Sequence, residues 1–171
     1  MNSLLYAPYE ADCGAIVAVA DENALQAVIF TPNLTRAMQK LGRDYPGAIE
    51  ATDGWAVEAV GQIREYFSGD RRAFSLPIDF SGCSSFTREV LDALACVPYA
   101  TTVSYGELAG QIGRPQAARA IGRVMAANRW PLILPCHRVV GRNGTLIGYS
   151  GGGGVSSKRW LLEFEASRVS T

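Results

Sequence analysis

The break at residues 113–115 constrains the fold of this chain more than any other feature. Two short segments of helical composition, TVSYGELAGQIG and RPQAARAIGRVMAAN, meet at Gly113, Arg114 and Pro115. Because proline lacks a backbone N–H, Pro115 cannot continue the first helix, but it is tolerated in the first turn of the second. Two short helices joined in this way form a helix-turn-helix. The sequence therefore predicts this motif.

Charge is divided unevenly along the chain, although the formal net charge is +0. Residues 1–83 contain 6 Lys and Arg against 11 Asp and Glu, whereas residues 84–171 contain 10 against 5. From Ser104 to Arg142 there are six arginines and one acid, Glu107. Such a local excess of positive charge indicates a face that binds a polyanion. On charge alone, a set of solvated arginines on a helical surface is the alternative.

A stretch rich in turn-forming residues, PIDFSGCSS at 77–85, predicts a linker. We therefore expect two domains and an α+β fold. Residues 1–83 are predicted to form a small N-terminal α/β scaffold. Residues 84–171 are predicted to form a mainly helical C-terminal domain with the helix-turn-helix and the reactive cysteine described below.

The acidic half is predicted to contain a hairpin and two helices. Two apolar segments at 15–30 flank turn residues and predict the hairpin. Helical patterns occupy 33–42 and 52–69, the second with Asp53 as its cap, and each segment ends in a glycine that predicts its C-terminal end. No pair of side chains in this half suggests chemistry.

The basic half is predicted to contain further elements on both sides of the helix-turn-helix. SFTREVLDALACV predicts a helix whose cap lies at Ser85 or Thr87. The Asn-Gly dipeptide at 143–144 lies between two apolar segments and predicts a strand hairpin. SSKRWLLEFEA predicts a last helix capped by Ser156 or Ser157.

Composition sets the expected compartment and cofactors. No N-terminal signal pattern is present, and no apolar run approaches the ~20 residues that span a bilayer. The four cysteines are irregularly spaced and lack Cys-x-x-Cys pairs, and there is one histidine. We therefore expect a soluble, cytoplasmic protein with reduced thiols, no structural metal and no membrane contact.

Cys136 is the candidate nucleophile because it directly precedes the only histidine, His137, in the sequence PCHRV. A free thiol has a pKa of about 8.5 and needs a base or a positive neighbour to become a thiolate. In an extended segment, adjacent side chains point to opposite faces, so direct contact with His137 requires a bend, or a bridging water. The alternative is an apolar cysteine at the end of a buried strand.

The second helix of the predicted motif has an unusual composition for a helix that binds in the major groove of DNA. It surrounds Arg119 with small residues, Ala117, Ala118, Ala120 and Gly122. Small residues let a helix backbone approach a narrow minor groove, and one long cation can fill a gap in a base stack. Tight packing against a neighbouring helix is the structural alternative.

Taken together, these segments resemble the O6-alkylguanine-DNA alkyltransferases, also called methylated-DNA–protein-cysteine methyltransferases. The similarity lies in VSYGELA, AARAIG, PCHRVVGRNGT, GYSGG and KRWLLEFE and covers about the last half of the chain. It implies a DNA repair protein that moves the alkyl group of O6-alkylguanine onto its own cysteine, irreversibly and once per molecule. It also implies a variable N-terminal α/β domain, of ribonuclease H-like type, and no cofactor.

The resemblance assigns roles to five residues of the reaction site. Cys136 matches the alkyl acceptor, and His137 matches the base that acts on the thiol through a water molecule. Glu165 matches the acid that orients the histidine. Tyr105 matches the tyrosine that donates a hydrogen bond to the guanine ring, and Asn128 matches the asparagine that joins the helix-turn-helix to the active-site segment.

The resemblance also assigns the contacts with DNA. Arg119 matches the finger that enters the duplex when the nucleotide is rotated out, and the remaining expected DNA-binding residues are Arg114, Ala117, Ala118 and Arg123. The expected pocket for the base is formed by Tyr149, Ser150, Val139 and Gly151. The backbone carbonyls of Cys136 and Val139 are expected to accept the guanine amino group. The expected partner is double-stranded DNA, approached from the minor groove by a monomer, with cooperative binding left open.

Two other functions compete with this interpretation. A non-enzymatic module that only binds alkylguanine would replace the acceptor cysteine, whereas Cys136 is present here. A Cys–His hydrolase would use the same thiol but would turn over, and it requires an oxyanion hole that the sequence does not locate.

Overall fold

The computed structural model describes residues 3–169, which divide into two compact units. The first contains the described residues up to Asp79 together with Gly151–Gly153, and the second contains Phe80–Ser150 and the described residues from Gly154 onward. One unit is built on a sheet with helices, and the other is mainly helical. The predicted α+β class is therefore confirmed.

The first unit is built on a four-stranded mixed sheet. Its strands are β1 (Leu5–Ala11), β2 (Gly14–Ala20), β3 (Leu25–Thr31) and β4 (Ile49–Glu50). They are ordered β3-β2-β1-β4, antiparallel except for β4, which runs parallel to β1. The predicted hairpin is the β2–β3 pair and is confirmed, whereas β1 and β4 were not predicted.

Strand β2 is covered on both faces, and this explains why its sequence is continuously apolar. Ala15, Val17 and Val19 face helix α1 (Leu34–Asp44) in one buried cluster. Helix α2 (Trp55–Ser68) packs against the sheet and covers the other face. The core of this unit therefore lies in two layers.

The ends of α1 and α2 follow backbone geometry more closely than composition. Helix α1 continues past Gly42, whose predicted role as its end is wrong, because Gly42 keeps helical dihedral angles. Gly54 caps α2 without a side-chain hydrogen bond, so the cap predicted at Asp53 is also wrong. Gly69 ends α2 with a φ of 90°, in the left-handed region that glycine tolerates, as predicted.

The second unit contains four helices among the described residues. They are α3 (Ser85–Ala95), α4 (Tyr105–Gln111), α5 (Ala118–Ala126) and α6 (Val155–Val169). Strands β5 (Val103–Ser104) and β6 (Val139–Val140) pair in parallel. Helices α4 and α5 form the predicted helix-turn-helix, and a capping box between Ser104 and Glu107 fixes the start of α4.

Two predicted helix starts in this unit are corrected by local hydrogen bonds. Helix α5 begins at Ala118, because residues 114–117 form a turn that the Ala117 N–H closes on the Arg114 carbonyl at 2.9 Å. Pro115 therefore precedes the helix. The cap of α3 is Ser84, whose hydroxyl accepts the Thr87 N–H, so neither Ser85 nor Thr87 is the cap.

Two predictions for the C-terminal segments, a hairpin and a helix cap, are also wrong. The Asn143-Gly144 turn is present, with positive φ at both residues, but it does not join two paired strands. Strand β6 pairs with β5 instead, so the predicted hairpin is wrong. Helix α6 begins at Val155, which places Ser156 and Ser157 inside the helix and not at its cap.

Across residues 3–169, the helices lack the combination of length and apolar character needed to cross a bilayer.

Two glycines of α2 provide a matched test of the backbone geometry. Gly61 lies inside the helix with open space around an added Cβ, so Gly61→Ala is expected to stabilise the protein by about 1 kcal/mol. Gly69→Ala is expected to destabilise it by about 1 kcal/mol, because alanine is strained at positive φ. Urea denaturation of both variants measures the difference, and equal effects would contradict the assigned end of α2.

Candidate active site

Cys136 lies in a short 3₁₀ turn and not at the end of a strand. The turn spans Cys136–Arg138 and follows Pro135. The Cys136 N–H donates to the Leu134 carbonyl at 2.8 Å, and the Arg138 N–H donates to the Pro135 carbonyl at 2.9 Å. The alternative of a cysteine at the end of a strand is therefore wrong, because the backbone bends at this point.

The thiol opens into a cavity of about 280 Å³. Cys136 itself is only 5% exposed, so the cavity is its route to a reactant. The lining residues are Tyr105, Gly122, Met125, Ala126, Cys136, Gly148, Tyr149 and Ser150. The structure thus brings Tyr105, Tyr149 and Ser150, three residues that the family resemblance assigned to the site, into one cavity with Cys136.

Two predicted pocket residues do not line this cavity. Val139 is fully buried in β6, and its carbonyl accepts a hydrogen bond from Lys158. Gly151 groups with the first unit. Conversely, Gly122, Met125 and Ala126 were not predicted. Their spacing of three and four residues places them on one face of α5, and this signal is readable in the sequence.

His137 is held by Glu165 at the centre of the site. His137 Nε2 lies 2.8 Å from Glu165 Oε1, and both side chains are 0% exposed. Because the carboxylate accepts, Nε2 carries the proton, and Nδ1 is the acceptor of the neutral imidazole. Within residues 3–169, Nδ1 has no hydrogen-bond partner. Burial lowers the pKa of His137, although the Glu165 carboxylate opposes this effect.

Glu165 is also bound by Arg138, a residue to which the sequence analysis gave no role. Arg138 Nε and Nη2 donate to the two carboxylate oxygens at 3.0 and 2.9 Å. The Ala100 N–H donates to Oε2 at 3.0 Å. Burial alone would raise the pKa of Glu165, but the bonds from His137 and Arg138 prevail and hold it at about 2. The carboxylate is therefore ionised at neutral pH.

The Cys136 thiol is protonated at rest. Burial raises the pKa of Cys136 above the ordinary range of a thiol. A hydrogen bond from the Asn128 side chain, the positive charge of Lys158 and nearby backbone N–H groups act in the opposite direction without overcoming it. Reaction therefore needs a base close to the thiol.

Lys158 is a further residue of the site that was not predicted from the sequence. Its side chain is 1% exposed, and Nζ donates to the carbonyls of Val139 at 2.5 Å and Ile147 at 3.3 Å. It therefore links the segment after Cys136 to the loop that lines the cavity. Burial lowers its pKa. Its spacing from Glu165 on α6, seven residues, places both on one helix face and was a usable signal.

Tyr105 and Asn128 both lie close to the thiol, one at the start of α4 and the other after the end of α5. Tyr105 begins α4, and its hydroxyl donates to the Ile147 carbonyl at 3.4 Å. Burial, and secondarily the proximity of Cys136, raises the pKa of Tyr105, so the hydroxyl keeps its proton. Asn128 follows α5, and its Nδ2 donates to the Leu134 carbonyl at 3.0 Å. Asn128 thereby joins the helix-turn-helix to the turn that carries Cys136.

The predicted DNA-binding residues lie in the turn before α5 and in α5 itself. Arg119 and Arg123 are exposed, and neither side chain forms a hydrogen bond or ion pair within the described part of the chain. Arg114 is paired with Glu89 at 3.1 Å. Ala117 caps α5, and Ala118 is its first residue.

Comparison with known proteins gives consistent matches. Residues 85–167 match the family described as 6-O-methylguanine DNA methyltransferase, DNA binding domain. The chain is 45% identical over 119 residues to the methylated-DNA–protein-cysteine methyltransferase of Mycobacterium leprae, with 70% of each chain covered. It is 35% identical over 170 residues to the protein of that name from Methanosarcina acetivorans, with 96% of this chain and 99% of that protein covered.

Among solved structures, the fold is similar to that of Mycobacterium tuberculosis OGT in complex with DNA. The TM-score is 0.81 at 35% sequence identity, with 96% of this chain and 94% of the other covered. With the sequence matches, this places the chain in the O6-methylguanine-DNA methyltransferase family, to which it belongs. The resemblance drawn from the sequence is confirmed.

The ion pair of Glu165 predicts an acid-dependent difference in stability. Its pKa lies at about 2 in the folded protein, below the ordinary 4.5, so its contribution is present above pH 4.5 and is lost as the pH falls toward 2. Glu165→Gln is expected to be destabilised at neutral pH, because it leaves Arg138 buried without a counter-ion. The difference from the wild type should shrink over this window.

Urea unfolding at a series of pH values measures this difference. Glu163→Gln, at an exposed position of the same helix, is the matched control and should track the wild type. A destabilisation of Glu165→Gln that stays constant down to pH 2 would contradict the ion pair.

Proposed function

We propose that this chain repairs O6-alkylguanine in duplex DNA by transferring the alkyl group to Sγ of Cys136, once per protein molecule. The observation that carries the proposal is the position of Cys136, which lines a cavity that suits a single base and directly precedes His137, a buried imidazole with an available acceptor nitrogen. Membership of the O6-methylguanine-DNA methyltransferase family supports the same reaction.

The reaction begins with the thiol proton. His137 Nδ1 takes this proton through a water molecule, as the family resemblance implies, and Glu165 holds the imidazole in the required tautomer. The thiolate attacks the alkyl carbon attached to O6. A C–S bond forms as the C–O6 bond breaks, and the electron pair of the broken bond stays on guanine.

Proton balance is closed within the site. As guanine leaves with the bonding pair, Tyr105 donates a hydrogen bond to its ring and stabilises the developing negative charge. The proton taken from Cys136 compensates for the charge on the base, so the products are a thioether and neutral guanine. No cofactor is required. The C–S bond of a thioether is not broken under these conditions, because the thiolate is a poor leaving group from an alkyl carbon, so the protein is spent after one transfer.

The base must leave the duplex stack before Cys136 can reach its alkyl group. We infer that α5 enters the minor groove by its small residues, Ala117 and Ala118, and that Arg119 fills the gap left by the flipped nucleotide. Arg114 and Arg123 would contact the DNA backbone. Double-stranded DNA is thus the partner, bound by a monomer.

The flipped base would be recognised by the cavity walls. Tyr149 and Ser150 form the loop side of the cavity. The Cys136 and Val139 carbonyls would accept the guanine amino group, and because a carbonyl has two lone pairs, the bond from Lys158 leaves Val139 an acceptor position.

The four cysteines form no disulfides, which suits a reducing compartment such as the cytoplasm.

Replacement of the acceptor tests the transfer directly. The wild type, mixed with an oligonucleotide that contains one O6-methylguanine, is expected to gain one methyl group, located on Cys136 by peptide mapping. Cys136→Ala should gain none and still bind the oligonucleotide, whereas Cys96→Ala, which changes an exposed cysteine, should gain the methyl group normally.

A wild type that binds the oligonucleotide without gaining mass would favour the lesion-binding module. Release of methanol with repeated turnover would favour the hydrolase.

Replacement of Arg119 tests base extrusion. Arg119→Ala is expected to slow repair of duplex DNA by roughly a hundredfold, since flipping costs a few kcal/mol, while the reaction with free O6-benzylguanine should change little. Single-turnover rates on both substrates measure the effect, with Arg159→Ala as an exposed control. Equal losses on the two substrates would refute the finger role.

A further inference from the structure

We propose that Arg138 is a positioning residue of this reaction, which acts by taking the charge of Glu165 so that His137 stays a neutral imidazole able to accept the thiol proton. This inference rests on the proposed alkyl transfer and deepens it. It concerns the charge state of the base, which the pairing of His137 with Glu165 leaves undecided.

The guanidinium of Arg138 is fixed by contacts on both sides. Its Nε and Nη2 bind the two oxygens of Glu165 in a fork, and Nη1 donates to the Val97 carbonyl at 2.8 Å. The group also lies 5.5 Å from the centre of the Tyr99 ring. Arg138 is only 5% exposed, so water does not screen its interaction with Glu165.

Glu165 requires a positive partner because it is ionised and 0% exposed. Two neighbours could supply that charge, the guanidinium of Arg138 or a protonated His137. A guanidinium keeps its charge across the accessible pH range and binds both oxygens of a carboxylate. An imidazole carries a positive charge only after it gains a proton. Arg138 therefore fills the role of counter-ion, and His137 is left to donate a neutral hydrogen bond.

The other charged and titratable groups around His137 act in the same direction or are neutral. Lys158 of α6 adds a positive charge that disfavours an imidazolium, and burial disfavours it further. The Cys136 thiol is protonated at rest. Glu165 alone favours the charged ring, and Arg138 compensates for that carboxylate.

The charge state decides whether the thiol can be deprotonated. A neutral His137 with its proton on Nε2 has a lone pair on Nδ1, whereas an imidazolium has none. Arg138 thus keeps the acceptor open before the reaction. It also disfavours storage of the proton on His137 once it has been taken, which favours its onward passage to the departing guanine.

The single histidine of the chain makes this testable by NMR, because ¹⁵N-histidine labelling reports on His137 alone. In the wild type we expect the ring signals of the neutral Nε2–H tautomer at neutral pH. In Arg138→Gln the ring should become doubly protonated, with its titration midpoint raised by about 1 pH unit or more. In Arg138→Gln/Glu165→Gln, where both charges are removed, the neutral ring should return.

Kinetics with free O6-benzylguanine provide the second readout. In Arg138→Gln the rate at neutral pH should fall roughly tenfold or more and should recover as the pH rises past the new midpoint of His137. Arg138→Lys keeps the positive charge without the fork and should keep the neutral ring. Arg159→Gln, an exposed arginine of α6, is the matched control and should leave both readouts unchanged.

A purely structural role for Arg138 gives a different pattern. If Arg138→Gln lost rate equally at all pH values and left the His137 signals of the neutral ring, the proposal would be overturned. If Arg138→Gln does not fold, a doubly protonated ring in Arg138→Lys at neutral pH would overturn it equally. The NMR measurement requires no alkyl transfer, so its result is separate from that of the methyl-transfer experiment, which tests the proposed function.

Discussion

The buried carboxylate of Glu165 is the interaction on which the rest of the site depends. It is reached by His137 and Arg138 from the turn and by the Ala100 N–H from the loop before β5. A fully buried anion is unfavourable unless every contact is made, so α6, the turn and that loop have to be placed together. The position of the thiol follows from this placement, because Cys136 immediately precedes His137.

The polypeptide reaches this arrangement by avoiding regular structure around Cys136. Residues 127–138 leave α5, pass Leu132 at a φ of 73° and enter the 3₁₀ turn. Left-handed dihedral angles are unfavourable for leucine, so surrounding contacts must impose them. Hydrogen bonds on either side of Leu132 supply such contacts: the Leu134 N–H donates to the Trp130 carbonyl at 2.9 Å, and Asn128 Nδ2 donates to the Leu134 carbonyl at 3.0 Å. Secondary structure on either side thus anchors a segment whose own conformation is strained.

The sequence predicted elements whose signals are local. The β2–β3 hairpin, the Gly69 end of α2 and the helix-turn-helix follow from turn residues and periodicity. Features set by distant contacts were missed: the two-residue strand β4 has no pattern of its own, and PCHRV resembles the end of a buried strand. Cys136 and His137 were selected because the cysteine precedes the only histidine, and Glu165 was selected through family resemblance. The contacts of Arg138 and Lys158 become visible only when the fold brings α6 against the turn.

The burial that raises the pKa of Cys136 also protects this thiol from unwanted reactions. A protein that can react only once must not react with other compounds, and the cell contains many small electrophiles and oxidants. Because the thiol at rest is protonated and 5% exposed, these compounds meet a poor nucleophile that is largely shielded from solvent. The Cys136 thiol then becomes reactive when a ligand fills the cavity, so it remains available for that ligand.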